Sequence, residues 1–406
     1  MSEIILTRNK LILRNEPFGG VYFDQFNGRT VMVDQEAFLT FLKYLEKQNL
    51  NLKEKEFIKV FFNHKTPRKI NLRLKKSIQF EKRALLITDT PVLIDLSLNN
   101  YCNLHCPYCY MSATSLEHGS NLSMDDFELL LRDMIKSRVL QIALGGGEPT
   151  LHPNFTEILC KLRVEGDIIP NYTTNGSNLT HEILKASKDY CGAVAVSYSE
   201  ERENETIQAV KKLIQYGIQT NIHIVLLKSR IPNLSTTVEK YAKLGIHSVV
   251  LLLFKPIGRG INLEHEVLTI KEKKAFSIEI FKTLALQNKY GVRLAIDACS
   301  AFMAKEFPFL PESVDGCTGG MYSAYVDCNL RLKPCSFMQD SKGINLRENS
   351  IVEAWKSNLF KKFRENIINP RYEGCKTCSF FSSCWGGCPL MPKLTYCQEK
   401  GNEIKK

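Results

Sequence analysis

Apolar residues recur along this chain with two periods, and the switches between them mark its organisation. Near the N-terminus the period is short. The stretches Lys10–Arg14, Gly20–Asp24 and Gly28–Val33 are separated by the turn-forming residues Pro17-Phe18-Gly19 and Asn27-Gly28, which predicts a three-stranded hairpin sheet. The spacing then changes to three and four. Phe38, Phe41, Leu42 and Leu45, and later Phe57, Val60 and Phe61, predict two helices with one apolar face each. Residues 65–90 are basic and mixed, and read as a linker with one short element.

From residue 91 onward, strand and helix patterns alternate. The strand candidates are Val92–Leu98, Val139–Leu144, Ile168–Thr173, Ala193–Ser197, Thr220–Leu227 and Ser248–Phe254. Helical patterns lie between them. The first has Ser123 as N-cap with Asp126 three positions on, and its face is Phe127, Leu130, Leu131 and Met134. Repeated strand–helix units predict a parallel sheet, with any site at the carboxyl ends of its strands. Past residue 298 the pattern gives way to a segment rich in cysteine.

Composition narrows the classes. A chain of 406 residues has room for two or three cores. Its longest apolar run, Val249–Phe254, is too short to span a bilayer, and Met1-Ser-Glu-Ile-Ile is no secretory signal. No membrane partner is expected, and the chain reads as cytoplasmic. The net charge of +11 comes from scattered lysine and arginine without a basic stripe interleaved with aromatics, so no nucleic-acid partner is expected. In a chain of this size and kind, 14 cysteines point to metal more than to disulfides.

Three of those cysteines follow the first strand: Cys102, Cys106 and Cys109, in Tyr-Cys-Asn-Leu-His-Cys-Pro-Tyr-Cys. Three thiolates can ligate three irons of a cubane cluster and leave the fourth iron open, as a catalytic site requires. A zinc site is the plainer alternative, but it takes paired cysteines plus further ligands, and only His105 and His118 lie near. The second strand ends in Gly145-Gly146-Gly147-Glu148-Pro149, glycines that allow close backbone approach beside a carboxylate that can accept from an ammonium.

These two motifs resemble the radical S-adenosylmethionine (radical SAM) superfamily. The resemblance implies an α/β fold built on a partial (β/α)6 barrel over residues 91–298. It implies a 4Fe–4S cluster on Cys102, Cys106 and Cys109, whose open iron binds S-adenosylmethionine. Reduction then yields a 5′-deoxyadenosyl radical that abstracts hydrogen from substrate. Gly146, Gly147 and Glu148 take the part of the family's binder of the cofactor's amino group. Asn175, at the end of the third strand, and Ser197, at the end of the fourth, are carried over by position. The segment Leu252–Gly258, leaving the sixth strand, matches where the family packs the adenine. Many relatives follow the fourth-strand serine with Asp-Gly; this chain has Tyr198-Ser199, so no relative's substrate is carried over.

The C-terminal cysteines Cys317, Cys335, Cys375, Cys378, Cys384, Cys388 and Cys397 resemble the SPASM extension of radical SAM maturases. That implies a SPASM domain over residues 299–406 holding two auxiliary 4Fe–4S clusters. By the family's interleaving, Cys375, Cys378, Cys384 and Cys397 hold one. Cys317, Cys335 and Cys388 hold the other, with Cys299 favoured over Cys328 as its fourth ligand. The family's glycine five residues before Cys335 is Leu330 here, and Asn329 is the expected turn-maker. Cys160 and Cys191 fall on barrel helices and read as small buried apolar residues.

Residues 1–90, strands then helices plus linker, resemble the winged-helix-like peptide-recognition domain that precedes many such maturases; a plain accessory domain is the alternative. The expected activity is oxidoreductase modification of a precursor peptide, such as a thioether or carbon–carbon crosslink, with flavodoxin or ferredoxin as reducing partner. A radical SAM dehydrogenase of a small molecule is the alternative. A sulfatase-type maturase is disfavoured, because that group has an aspartate after the cysteine matching Cys335 and this chain has Ser336.

Overall fold

Short N-terminal strands pair only with each other, and the rest of the strands join one sheet. The computed structural model describes residues 11–25, 28–63, 86–269, 271–306, 316–339, 341–391 and 394. The chain forms two compact units, Met1–Asp89 with Phe309–Asp315, and Thr90–Pro308 with Gly316–Lys406.

In the first unit β1 (Leu11–Glu16), β2 (Gly19–Asp24) and β3 (Arg29–Asp34) form an antiparallel sheet in that order. Asp34 caps α1 (Gln35–Leu45) by accepting from Ala37 N–H at 2.8 Å, and α2 (Leu52–Asn63) follows. Of the expected helical faces, Phe38, Phe41, Leu42 and Leu45 of α1 and Phe57 and Phe61 of α2 pack on the core, whereas Val60 is exposed and Ile58 takes its place. Tyr22, Phe41 and Phe61 make a buried aromatic trio, with ring centroids 4.6–5.2 Å apart. Of the linker expected over residues 65–90, residues 65–85 lie outside the described residues.

The second unit carries a ten-stranded sheet. The six expected strands are β4 (Leu93–Asn99), β5 (Gln141–Gly146), β6 (Ile169–Thr174), β7 (Ala193–Ser197), β8 (Thr220–Leu226) and β9 (Ser248–Leu253), all parallel and in sequence order. A seventh, β10 (Arg293–Ile296), extends the parallel edge beyond β9. On the other edge β11 (Ser323–Val326) pairs parallel with β4, and β12 (Arg331–Lys333) and β13 (Ile344–Asn345) continue antiparallel. The sheet therefore runs through both of the segments separated at residue 298.

The crossovers are α3 (Met124–Lys136), α4 (Phe155–Val164), α5 (His181–Tyr190), α6 (Glu203–Gln215), α7 (Leu234–Ala242) and α8 (Lys273–Tyr290). They cover the buried set of each strand: Tyr172 of β6 meets Phe155 of α4 edge-on at 5.0 Å, and its hydroxyl meets Ser187 of α5 at 2.8 Å. Along β8, buried Thr220, Ile222, Ile224 and Leu226 alternate with half-exposed Asn221, His223 and Val225, the period-two signature of a sheet with one open face.

Past β13 the chain is helical and short: α9 (Ile351–Trp355), α10 (Asn358–Ile368), α11 (Glu373–Lys376) and α12 (Phe381–Cys384). This segment docks on α3. Ser123 caps that helix as expected, accepting from Asp126 N–H at 3.1 Å, and the Asp126 carboxylate is held by the Arg347 guanidinium at 2.6 and 2.9 Å. Asp133 accepts from the Ile351 N–H at 2.6 Å.

Candidate active site

The cysteine loop begins where β4 ends. Its base is closed by Cys102 N–H to Thr114 carbonyl and Thr114 N–H to Asn100 carbonyl, both 2.9 Å. Inside it the Cys109 N–H bonds the Cys106 carbonyl at 3.2 Å, which turns the two thiols onto a tight bend. Cys102, Cys106 and Cys109 are half-buried, and all thirteen described cysteines are free thiols.

Neighbouring strand ends tie this loop down. From β6, Asn175 Nδ2 donates to Asn103 Oδ1 at 2.9 Å and points at Cys102 Sγ at 3.6 Å, which also receives the Leu104 N–H at 3.3 Å. From β7, the Tyr198 carbonyl accepts from the Tyr108 hydroxyl at 3.4 Å. From the segment after β9, Arg259 binds the loop three times. Its N–H donates to the Cys109 carbonyl at 3.0 Å, Nε to the Cys106 carbonyl at 2.9 Å and Nη1 to the Ala113 carbonyl at 2.7 Å. Gly258 makes that contact possible: at φ +57 it has no Cβ, which would lie 2.4 Å from the Tyr110 carbonyl. Arg259, one residue past the Leu252–Gly258 stretch, thus fastens the cysteine loop, a role that its sequence context gave no sign of.

The glycines after β5 serve the chain's own backbone. A Cβ on Gly147 would stand 1.8 Å from the Tyr101 carbonyl, and one on Gly146 2.3 Å from that of Asn99. Bonds lock the contact: Gly147 N–H to Asn99 carbonyl at 3.0 Å, Glu148 N–H to Tyr101 carbonyl at 2.9 Å, and Asn99 Nδ2 to Glu148 carbonyl at 2.8 Å. The two motifs are therefore one assembly. Glu148 is 1% exposed. Its Oε1 accepts from the Thr150 and Thr174 hydroxyls, each at 2.7 Å, and Oε2 from the Asn175 N–H at 2.7 Å. Burial pushes its carboxyl above the usual range and these bonds oppose the shift. The carboxylate braces the ends of β5 and β6, while Gly145 faces open space. Ser197 ends β7 half-exposed, in register with His223.

A second group of thiols gathers at the ends of β9 and β10. Cys299 and Cys388 lie close enough to perturb each other's thiols. Cys317 and Cys335 lie in the same field, and burial first, then the neighbouring thiols, push both up, Cys335 to about 11. Lys255 stands among them, its charge favoured over its burial by Cys299, Asp297, Cys388 and Cys335. Cys328 sits elsewhere, in the β11–β12 turn with its sulfur 4.0 Å from Ser120 Oγ. In that turn the left-handed residue is the buried Leu330 itself, at φ +57, and not Asn329; Asp327 Oδ1 holds it by accepting from the Asn329 and Arg331 N–H groups, both at 3.0 Å.

A third group surrounds Gly386, whose N–H points at Cys384 Sγ at 3.3 Å and whose missing Cβ would lie 3.6 Å from Cys375 Sγ; Cys378 adjoins Cys375. Trp385, Gly386 and Gly387 are all left-handed, and this turn sends Cys384 and Cys388 to different groups. Arg371 Nη2 fixes it through the carbonyls of all three, at 2.8–3.0 Å. Cys397 lies outside the described residues. Cys160 and Cys191 are half-buried, not fully buried as expected.

Among the described residues, no three His, Cys, Asp or Glu side chains converge tightly enough for a single metal ion. A cluster asks less of them, because each thiolate bonds a different iron. Soft, all-thiol donor sets with N–H groups aimed at sulfur suit iron–sulfur clusters.

The comparisons with known proteins agree. Residues 96–230 match the family model of the radical SAM superfamily, and residues 317–379 match SPASM, an iron–sulfur cluster-binding domain. The chain is similar to the AdoMet-dependent heme synthase of Oleidesulfovibrio alaskensis, 23% identical over 322 residues covering 73% of this chain and 82% of that one. It is similar to the PqqA peptide cyclase of Xanthomonas axonopodis pv. citri, 24% identical over 325 residues, 74% of this chain and 84% of the relative. Its fold is similar to that of Streptococcus suis SuiB bound to precursor peptide SuiA, with a TM-score of 0.71 at 17% identity over 97% of this chain and 98% of that one.

Proposed function

We propose, for a chain that carries a radical SAM domain and behind it an iron–sulfur cluster-binding SPASM domain, that it is an oxidoreductase modifying a ribosomally made precursor peptide. When bound, S-adenosylmethionine on a reduced 4Fe–4S cluster supplies hydrogen-atom abstraction. The residues divide the remaining work. Cys102, Cys106 and Cys109 hold that cluster, and Arg259, Asn175 and the Gly146–Gly147 contact with Asn99 and Tyr101 fix their loop. Ser197 and Gly145 line the open face that receives the cofactor. Cys299, Cys317, Cys335 and Cys388 hold one auxiliary cluster, and Cys375, Cys378, Cys384 and Cys397 the other. Because ligating thiols must lose their protons, loading the sites releases acid. Burial and Cys109 raise the Cys106 thiol, and Arg259 draws it back.

The observation that carries the reading is the joining of both cysteine systems in one sheet. The ring of Tyr110, next to Cys109, stacks at 4.6 Å on Phe337, two residues past Cys335. What supports a peptide substrate is the PqqA peptide cyclase relative and the likeness to SuiB with its precursor peptide, which spans the N-terminal sheet as well. Residues 1–90 would then recognise the peptide, by addition of a strand to an edge of the β1–β2–β3 sheet. The +11 charge suits an acidic electron donor such as flavodoxin or ferredoxin. No described helix is long and apolar enough to cross a membrane, in keeping with a cytoplasmic setting. The heme synthase relative favours a second reading, a small-molecule substrate.

The test uses the full chain, anaerobically loaded with iron and sulfide and given S-adenosylmethionine, dithionite and the peptide fraction of the host lysate. 5′-Deoxyadenosine formation stimulated by that fraction, with one peptide changed in mass, is the expected result. Stimulation by the small-molecule fraction alone would move the assignment to the second reading, and no 5′-deoxyadenosine at all would end both.

A further inference from the structure

Lys255 leaves the end of β9 and is 3% exposed. Its ammonium lies 3.7 Å from the centre of the Phe337 ring and 4.0 Å from Asp297 Oδ2. Each partner is two residues from a cysteine: Phe337 follows Cys335, and Asp297 precedes Cys299. Asp297 is heavily used already, since Oδ2 accepts the Leu253 N–H at 3.0 Å, and Oδ1 accepts the Cys299 N–H at 2.5 Å and the Ser300 N–H at 3.2 Å. An ammonium taken out of water is costly unless opposite charge faces it. One shared carboxylate and one ring face are a thin counterweight. Cys299, Cys388, Cys335 and Cys317 lie near enough to act on its charge.

We propose that Lys255 sets the reduction potential of the auxiliary cluster held by Cys299, Cys317, Cys335 and Cys388, its ammonium favouring the reduced state. This rests on the iron–sulfur reading above. A cubane with four thiolates is dianionic when oxidised and trianionic after taking one electron from an external reductant. No bond forms or breaks, and no proton is required. A fixed positive charge in a dry site stabilises the trianion more than the dianion, and local charge is one of the levers that spread the potentials of such clusters. Lys255 makes no bond to iron in this scheme; it tunes the site through its charge.

The experiment takes the full chain with Cys102→Ala, Cys106→Ala and Cys109→Ala, so that only the auxiliary sites load. Iron and sulfide are counted, and a mediated dithionite titration is followed by electron paramagnetic resonance. With Lys255→Met added, iron content is expected to stay whole while one of the two reduction steps moves to lower potential. With Lys255→Arg, that step is expected to stay near its original position. An unmoved step in Lys255→Met, or the same shift in both variants, would overturn the proposal. Loss of iron from Lys255→Met would overturn it too, making the lysine a brace for the fold. If the chain with its native Lys255 binds no auxiliary cluster, the iron–sulfur reading itself falls and takes the proposal with it.

Discussion

At Gly147 the space for one methyl group decides whether two motifs can meet. An alanine there would put its Cβ 1.8 Å from the Tyr101 carbonyl, and the rigid backbone one residue ahead of Cys102 would have to give way. Gly147→Ala is therefore expected to lose one of the three clusters, about four irons per chain, with the auxiliary sites intact. Iron analysis and circular dichroism on the same sample check this, and full iron content would refute it. His152 shows the second residue-scale constraint. It is 3% exposed, with Nε2 donating to the Leu122 carbonyl at 2.8 Å and Nδ1 accepting from the Asn154 N–H at 3.1 Å. That arrangement needs the neutral ring, and burial holds its pKa below the ordinary value of 6.5. The unfolded chain binds the proton more readily, so this contribution to stability is whole above about pH 6.5 and fades as the pH falls through the lowered pKa. The thermal midpoint of cluster-free protein is expected to fall with acidification over that range, and more steeply than that of His152→Gln. Equal slopes would remove His152 from the account.

Among elements, the exits of the parallel strands act together, because each holds part of a loop that contributes no regular structure of its own. Arg259 bears most on it. Two of its three bonds come from the guanidinium, and hydrogen bonds to charged groups are worth about 1.5–3 kcal/mol each. Arg259→Ala is expected to weaken iron retention at the first cluster by roughly tenfold or more, measured by chelator competition, with Arg259→Lys intermediate. Unchanged retention in the alanine variant would mean that the loop is held elsewhere. This element also shows where sequence reasoning stops. The six central strands were legible because short apolar or alternating segments, from Leu93-Ile-Asp-Leu-Ser-Leu to Val249-Val-Leu-Leu-Leu, recur between helical patterns. The strand β10 was not, since Arg293-Leu-Ala-Ile is short and half-exposed. The pairing of β11 with β4 joins residues far apart in sequence and leaves no local trace. Cysteine types and spacing were plain, yet spacing could not choose between Cys299 and Cys328. In the fold Cys299 lies close to Cys388, and the Cys328 sulfur is 4.0 Å from Ser120 Oγ. Two of the bonds on the Glu148 carboxylate, likewise, come from Thr174 and Asn175 at the end of another strand. Leu330 adopted the backbone of the glycine it replaces because Asp327 and a buried pocket over-determine the turn.

For the whole molecule, the division into two compact units lets the proposed peptide recognition be tested apart from the chemistry, without touching a cysteine. The first unit rests on a small core in which Phe41 meets Tyr22, Phe57 and Phe61. Phe41 is 1% exposed, and truncating such a ring costs about 3–5 kcal/mol, most of what so small a core supplies. Phe41→Ala should therefore open residues 1–63 to protease while the barrel and its iron are retained. If peptide enters through an edge of this sheet, the variant keeps its slow, peptide-independent formation of 5′-deoxyadenosine and loses the stimulation by peptide. The two readouts must part for the reading to stand. Stimulation that survives digestion of the first unit would place peptide recognition on the barrel mouth instead. A parallel loss of both activities would mean that the first unit supports the chemistry itself.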